Sequence, residues 1–243
     1  MNKNQKIGKN KWFLKWWGVS IILFSLLILA LAINFVLLVS HYKKAIESGE
    51  IIVDNVVGKY SEFKNITNNS EITINRDELE ATSEPSLGSD KPIMTIVEFS
   101  DFNCPYCAIF YPTIKQFVSE YPDQVKVIFR DFPLSGNGPA LAANCAFEQG
   151  RFWEMHDKLF YNQEDLSDTV IKNIANDLRL DMDLFNSCYD SQKYQEDIQK
   201  DLAIGVKAGV EGTPTIFING EKFAGVIPQS ILEQILYAIE YEK

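Results

Sequence analysis

The sequence predicts an α/β fold: a mixed sheet with an inserted α-helical domain, preceded by one N-terminal transmembrane helix. Three observations support this prediction: an uncharged stretch near the N-terminus, strand-like runs on both sides of the C-terminal part, and helical patterns between them. The predicted regions are a cytoplasmic basic head (1–15), a transmembrane signal-anchor (16–40), an extracytoplasmic linker or N-terminal extension (41–90), and a folded domain (91–243) with a helical insertion at about 137–208.

Charge is distributed unevenly along the chain. The 243 residues have a formal net charge of −10 and 46% hydrophobic residues, an ordinary globular composition. Residues 1–16 contain five lysines and no acidic residue, so the rest of the chain is strongly acidic. Nucleic-acid binding needs clusters of Lys and Arg that neutralise phosphates, and no such cluster follows the head. The composition therefore argues against a nucleic-acid partner.

The first predicted element is the segment 16–40, WWGVSIILFSLLILALAINFVLLVS, which contains no charged residue. As a helix it would be about 37 Å long, more than the roughly 30 Å of hydrocarbon in a bilayer. Because more lysines precede it than follow it, the N-terminus is expected in the cytoplasm and the remainder outside. A cleaved signal peptide is the alternative, since ALA at 30–32 resembles a cleavage site, although the apolar stretch is longer than a signal peptide needs. Both interpretations export the folded domain.

The linker at 41–90 is rich in polar and turn-forming residues, such as ATSEPSLGSDKP next to the domain. The apolar run IIVDNVV at 51–57 fits a short strand as well as an extension of a juxtamembrane helix. Both alternatives stay open.

The folded domain begins with KPIMTIVEFSDF, a run typical of a buried central strand. Cys104 and Cys107 follow, separated by Pro105 and Tyr106. A proline is favourable in the first helical turn and apolar residues recur at helical spacing after it, so Cys104 is expected at a helix N-terminus. The unpaired N–H groups and helix dipole there favour a thiolate, which makes Cys104 the nucleophile. Cys107 lies one turn further along, close enough to form a disulfide with Cys104.

A zinc site is the competing interpretation of the Cys-Pro-Tyr-Cys motif. Structural zinc usually takes four ligands in two close pairs. The other two cysteines, Cys145 and Cys188, are far apart in sequence, and His41 and His156 form no paired motif. The sequence therefore favours a redox-active disulfide, with no metal and no separate cofactor.

Glu98 and the segment GVEGTPTIFING at 209–220 add to this motif. Glu98 lies in the apolar strand, where a buried carboxyl would have a raised pKa and could exchange a proton with Cys107. Its alternative is an outward turn to a salt bridge. Pro214 enters a strand to which it cannot donate a hydrogen bond, which favours a cis peptide after Thr213; an ordinary trans turn is the alternative.

With AANCAFEQGRFWEMHDKLF at 142–160, these motifs make the chain from about residue 91 resemble the DsbA family of thiol-disulfide oxidoreductases, which have a thioredoxin-like fold. The resemblance implies that Cys104 is the exposed nucleophile, Cys107 its buried partner and Glu98 the buried acid. It also implies that Pro214 is a cis-proline beside the disulfide.

In such a fold Thr213 would offer its backbone to a bound substrate strand. DsbA itself usually has His at the position of Tyr106. Because a neutral phenol cannot stabilise a thiolate as a cationic imidazole does, the couple is expected to be less oxidising than that of DsbA.

The resemblance implies partners as well. The substrates would be exported proteins with cysteines, in a periplasm or cell-wall space. A membrane quinone-linked partner of the DsbB or vitamin K epoxide reductase type would reoxidise the reduced form, and the N-terminal helix would hold the domain at the membrane. The expected activity is disulfide formation. A reductase or isomerase is the first alternative, and a non-enzymatic peptide-binding module is the second.

The helical insertion follows a second strand-like run, QVKVIFRDFPL at 124–134. Helical patterns are predicted at 139–161, 167–178 and 191–208, the last two with serine N-caps. Cys145 and Cys188 lie within the insertion and, in an exported protein, most simply form a structural disulfide. Two buried free thiols are the alternative. Residues 226–243 are predicted to form a closing amphipathic helix.

Overall fold

The computed structural model describes residues 20–28, 31–35, 37, 75–81 and 84–241. It has two compact units, Met1–Asn55 and Val56–Lys243. In the first unit, the described residues are helical and fall within the predicted anchor. None of the helices described here is long and apolar enough to cross a membrane. The basic head and most of the predicted linker, including its apolar run at 51–57, lie outside the described residues.

The elements of the second unit are, in chain order, α1 (Arg76–Leu79), β1 (Ser86–Gly88), β2 (Met94–Ser100), α2 (Pro105–Glu120), β3 (Val125–Asp131), α3 (Gly138–Phe147), α4 (Phe152–Tyr161), α5 (Asp168–Asp177), α6 (Met182–Asp190), α7 (Gln195–Lys207), β4 (Thr215–Ile218), β5 (Glu221–Ala224) and α8 (Gln229–Tyr241). The strands form one sheet in the order β1-β3-β2-β4-β5. β2 and β3 are parallel, and the other neighbouring pairs are antiparallel. The predicted mixed α/β sheet with a helical insertion is therefore confirmed.

The two faces of β2 pack against different helices. Met94 and Ile96 belong to an apolar cluster with residues of α2 and α8. Val97 and Phe99 belong to a cluster on the other side, where Ala208 follows α7. Because successive side chains of a strand point to opposite faces, the even-numbered positions, including Glu98, face α2. This alternation places Glu98 in the same layer as the cysteine helix.

The insertion consists of α3 to α7 and has its own apolar cluster. The helix predicted at 139–161 is divided after Phe147, and in the connection to α4 Gly150 has a positive φ of 68°, a conformation that favours glycine. The helix Met182–Asp190 was not predicted. It begins after Asp181, whose side chain accepts hydrogen bonds from two N–H groups of the first turn. Ser191, predicted as an N-cap, is instead the C-cap of this helix.

The sheet begins earlier than the predicted domain start at 91. Ser86–Gly88 pairs with β3 at the sheet edge, within the predicted linker. Three residues are too few for a periodic pattern to predict a strand. The preceding helix α1 is held by Arg130, whose fully buried guanidinium donates to the main-chain carbonyls of Glu78 and Leu79.

Candidate active site

Cys104 occupies the N-cap position of α2 in an extended conformation, and Pro105 begins the helix. Its N–H donates to the carbonyl of Asp101 at 2.9 Å, and its own carbonyl accepts the N–H of Ala108 at 3.2 Å. Its side chain is partly exposed. The Sγ atom donates to the main-chain carbonyl of Thr213 at 3.2 Å. A thiol at this position is open to a reaction partner and lies where the helix N–H groups favour negative charge.

Cys107 lies one turn further along α2 and is buried. Both cysteines are free thiols, so the pair is in its reduced form. Burial raises the pKa of Cys107 to about 12, and the charges of Glu98 and Cys104 add to the rise. The Asp101 backbone and the Ser100 hydroxyl oppose it. Cys107 is therefore a neutral thiol near neutral pH, and its ionisation requires a group that takes the proton.

Glu98 is only 1% exposed and pairs in the sheet with Phe129 on one side and Ile216 on the other. Its Oε1 atom has no hydrogen-bond partner among the residues that the structure describes. Burial raises the pKa of Glu98 to about 7, although the Ser100 hydroxyl opposes the rise. The structure thus places this carboxyl inside the domain, where it can gain or lose a proton near neutral pH. The outward orientation that the sequence left open is not observed.

The peptide bond between Thr213 and Pro214 is cis, in the loop that leads into β4. Pro214 is buried, and the carbonyl of Thr213 faces Cys104. A cavity of about 220 Å³ adjoins this loop, lined in part by Glu211, Thr213 and Lys222. The loop contacts the reactive sulfur through the Thr213 carbonyl. The exposed side chain of Tyr106 lies at the N-terminal end of α2, two residues after Cys104.

Two residues of the site, Asp101 and Gln163, were not predicted from the sequence. Asp101 accepts hydrogen bonds from the N–H of Asn103 at 2.8 Å and of Leu134 at 2.9 Å, which shapes the turn before Cys104. An aspartate directly after a strand is a local signal for such a turn. Gln163 donates to the carbonyl of Cys104 from the insertion, 59 residues away in sequence, and no local pattern predicts it.

The remaining predicted residues lie in the insertion. Cys145 and Cys188 form a disulfide that joins α3 to α6. His156 is fully buried, and its Nδ1 lies 3.0 Å from Oδ1 of Asp157. Aromatic rings surround it, among them Phe102 and Phe160. Burial lowers the pKa of His156, as expected for a packed neutral imidazole.

Comparison with known proteins supports a redox function for this arrangement. Residues 80–238 match a family model described as Thioredoxin. The chain is 30% identical over 152 residues to Disulfide bond formation protein D of Bacillus subtilis (strain 168), covering 56% of this chain and 68% of that protein. A thioredoxin-like oxidoreductase from Silicibacter pomeroyi DSS-3 has a crystal structure that superposes with a TM-score of 0.62 at 28% identity, covering 70% of this chain and 98% of that one.

The chain also resembles part of a much longer protein. It is 36% identical over 137 residues to the Na(+)/H(+) antiporter NhaA 3 of Salinispora tropica, covering 54% of this chain. The matched part spans 21% of that antiporter, so the similarity concerns a fraction of its length.

Proposed function

Because the chain belongs to the thioredoxin family and has the fold of DsbA-like oxidoreductases, we propose that it catalyses disulfide formation in exported proteins through Cys104 and Cys107. One observation carries this proposal. Cys104, a partly exposed thiol at a helix N-terminus, lies one helical turn from the buried thiol of Cys107, and its Sγ donates to the Thr213 carbonyl. The similarity to a protein named for disulfide bond formation supports it.

In the proposed reaction a substrate thiolate attacks Cys104 Sγ of the oxidised pair. The Cys104–Cys107 bond breaks, and a mixed disulfide forms between substrate and Cys104. Cys107 leaves with the electron pair and takes a proton. Because its pKa is raised to about 12, departure as a free thiolate is unfavourable. Glu98, with a pKa of about 7, is the nearby group that can supply this proton.

A second substrate thiolate then attacks the substrate sulfur of the mixed disulfide and releases Cys104 as a thiolate, which takes a proton from water. The substrate has lost two electrons, and the protein holds a dithiol. In this dithiol the Cys104 thiol donates to the Thr213 carbonyl. In the mixed disulfide that hydrogen is absent, so the carbonyl is free to accept an N–H from the bound substrate strand.

The location of the reaction is part of the proposal. Residues 16–40 anchor the domain to the membrane, with the catalytic part outside the cytoplasm. The uncharged composition supports this, and in the described part of the segment side chains such as Leu23 and Phe24 are exposed. A quinone-linked membrane protein of the DsbB or vitamin K epoxide reductase type would reoxidise the dithiol. A membrane anchor would raise the effective concentration of the domain near that protein.

A reductase or isomerase is the second candidate function, favoured by one feature. Tyr106, which stands where DsbA usually has histidine, cannot supply a positive charge beside the Cys104 thiolate. The direction of electron flow follows from the reduction potential. A value near about −120 mV would support disulfide donation, and a value near about −270 mV would support reduction.

The test uses the full chain in detergent and a reduced peptide with two cysteines. Cys104→Ser should abolish oxidation of the peptide. Cys107→Ser, mixed with the oxidised peptide, should accumulate a mixed disulfide, because Cys104 attacks the peptide disulfide, one peptide thiol leaves, and no internal thiol can resolve the product. A double Cys145→Ala, Cys188→Ala variant serves as the control that retains the reactive pair. Undiminished peptide oxidation by Cys104→Ser would contradict the proposal.

A further inference from the structure

Gln163 connects the helical insertion to the turn that carries Cys104. It lies just after α4, and its side-chain Nε2 donates to the carbonyl of Phe102 at 2.7 Å and to that of Cys104 at 2.9 Å. An amide NH₂ group has two hydrogens, so both are used in these bonds. The Cys104 carbonyl also accepts the Ala108 N–H, the first hydrogen bond at the start of α2.

Neighbouring contacts hold Gln163 in place. Its main-chain N–H donates to the carbonyl of Phe160 at 3.4 Å. The ring of Phe160 packs against that of Phe102, with centroids 4.9 Å apart, and stacks on Tyr111 of α2 at 5.0 Å. The end of α4 and the loop after it therefore contact the active-site turn twice, through the packing of Phe160 on Phe102 and through the Gln163 amide. The packing fixes the distance between the two segments, and the amide fixes the orientation of the carbonyls.

We propose that Gln163 is a positioning residue for thiol-disulfide exchange, through which the insertion sets the reactivity of Cys104. The two hydrogen bonds hold the Cys104 main chain in the conformation that directs Sγ toward the Thr213 carbonyl. They also place two N–H dipoles beside the N-terminus of α2, with their positive ends toward the turn. This adds to the field of the helix, which favours the thiolate. The inference rests on the proposed function and extends it to the insertion.

The chemistry of the site selects glutamine. A leucine or methionine of similar length would leave both carbonyls without this donor, and a glutamate would place a carboxylate against two carbonyl oxygens. An asparagine is one methylene shorter and cannot maintain both bonds. Gln163 thus pairs two carbonyls of the turn, those of Phe102 and Cys104, with one amide group.

The test measures the pH dependence of Cys104 alkylation by iodoacetamide in the reduced full chain. Cys107 is buried with a raised pKa, and Cys145 and Cys188 are joined, so alkylation reports on Cys104. Gln163→Met should move the alkylation midpoint to higher pH. It should also shift the equilibrium with glutathione toward the protein disulfide, by up to about tenfold for the loss of the hydrogen bonds that position the turn.

Gln149→Met is the matched control. Gln149 also bridges two segments of the insertion, with Nε2 donating to the carbonyl of Asp181 at 3.2 Å and Oε1 accepting its N–H at 2.8 Å. Both of these hydrogen bonds are to Asp181 and do not involve the Cys104 turn. Its replacement should reduce stability to a comparable extent and leave the alkylation midpoint and the glutathione equilibrium unchanged.

An unchanged midpoint in Gln163→Met, or an equal shift in both variants, would overturn the inference. If Gln163→Met does not fold, Gln163→Asn provides the same comparison with one bond retained, and should shift the midpoint in the same direction to a smaller extent. Alkylation needs no protein substrate. A wild-type chain that fails to oxidise a peptide would therefore count against the proposed function without affecting this test.

Discussion

Burial raises the pKa of the Cys107 thiol to about 12, and the carboxylate of Glu98 on the adjacent strand adds to this rise. Glu98 itself has a pKa of about 7 because it is buried. Glu98 is therefore a nearby carboxyl, titrating close to neutral pH, that can exchange the proton that Cys107 loses or gains during thiol-disulfide exchange.

Glu98→Gln should slow the attack of Cys107 on a mixed disulfide at Cys104. An ionised Glu98 can accept the Cys107 proton, whereas glutamine cannot, so we expect a loss on the order of 10²-fold. In the wild type this rate should rise with pH through about 7, where Glu98 ionises, and the variant should lack this step. Stopped-flow measurement of mixed-disulfide resolution provides the rate.

The control for this experiment is Glu120→Gln at the end of α2. Glu120 is exposed and bonds to the side chains of Gln116 and Gln229. Its replacement should leave the pH profile unchanged. A Glu98→Gln variant that retains both the rate and the step near pH 7 would remove the proposed role of Glu98.

The same substitution should change how stability depends on pH. The folded pKa of Glu98 is about 7 against a usual value of 4.5, so between these values the folded state binds more protons than the unfolded state. The wild type should therefore lose stability as pH rises through this window, by about 3 kcal/mol. Glu98→Gln lacks this titration. Urea unfolding of both reduced proteins from pH 4 to 8 should show the difference in slope, and parallel curves would contradict it.

Removal of the Cys145–Cys188 disulfide should lower stability without changing the reactive pair. The bond closes a loop with a sequence separation of 43, which in the chain-entropy model corresponds to about 4 kcal/mol. Chemical unfolding of the double Cys145→Ala, Cys188→Ala variant should show this loss. Cys104 alkylation in the folded variant should match the wild type, and an altered alkylation profile would indicate that the disulfide takes part in exchange.

Arg130→Met should destabilise the domain by about 3–5 kcal/mol, because it leaves buried partners uncompensated. The guanidinium is 1% exposed and pairs with Asp201 of α7. It also donates to the carbonyls of Glu78 and Leu79 in α1. Arg151→Met is the surface control, since the Arg151–Glu154 pair is about half exposed, and it should cost less than about 1 kcal/mol. Equal effects of the two substitutions on unfolding free energy would disprove the prediction.

The local features of the site could be predicted from the sequence because they depend on neighbours in the chain. Pro105 and the helical spacing after it place Cys104 at the start of a helix, as the structure shows. The apolar run around Glu98 predicted the central strand, which is buried throughout. Errors occurred where local signals compete or are too short, as at the unpredicted helix after Asp181 and the three-residue strand Ser86–Gly88.

By itself, the sequence determined the central strand, the helix that follows the cysteine motif and the two-residue spacing of the cysteines, since periodicity and hydrophobicity act over one or two turns. Only the tertiary structure decided which face of the sheet Glu98 occupies, that Thr213 approaches Cys104 from 109 residues away, and that Gln163 bonds to the same turn. Neighbouring side chains of a strand point to opposite faces of the sheet, but this alternation does not specify which helix covers each face. That choice follows from the packing of α2, α7 and α8 on the sheet, which depends on the whole chain.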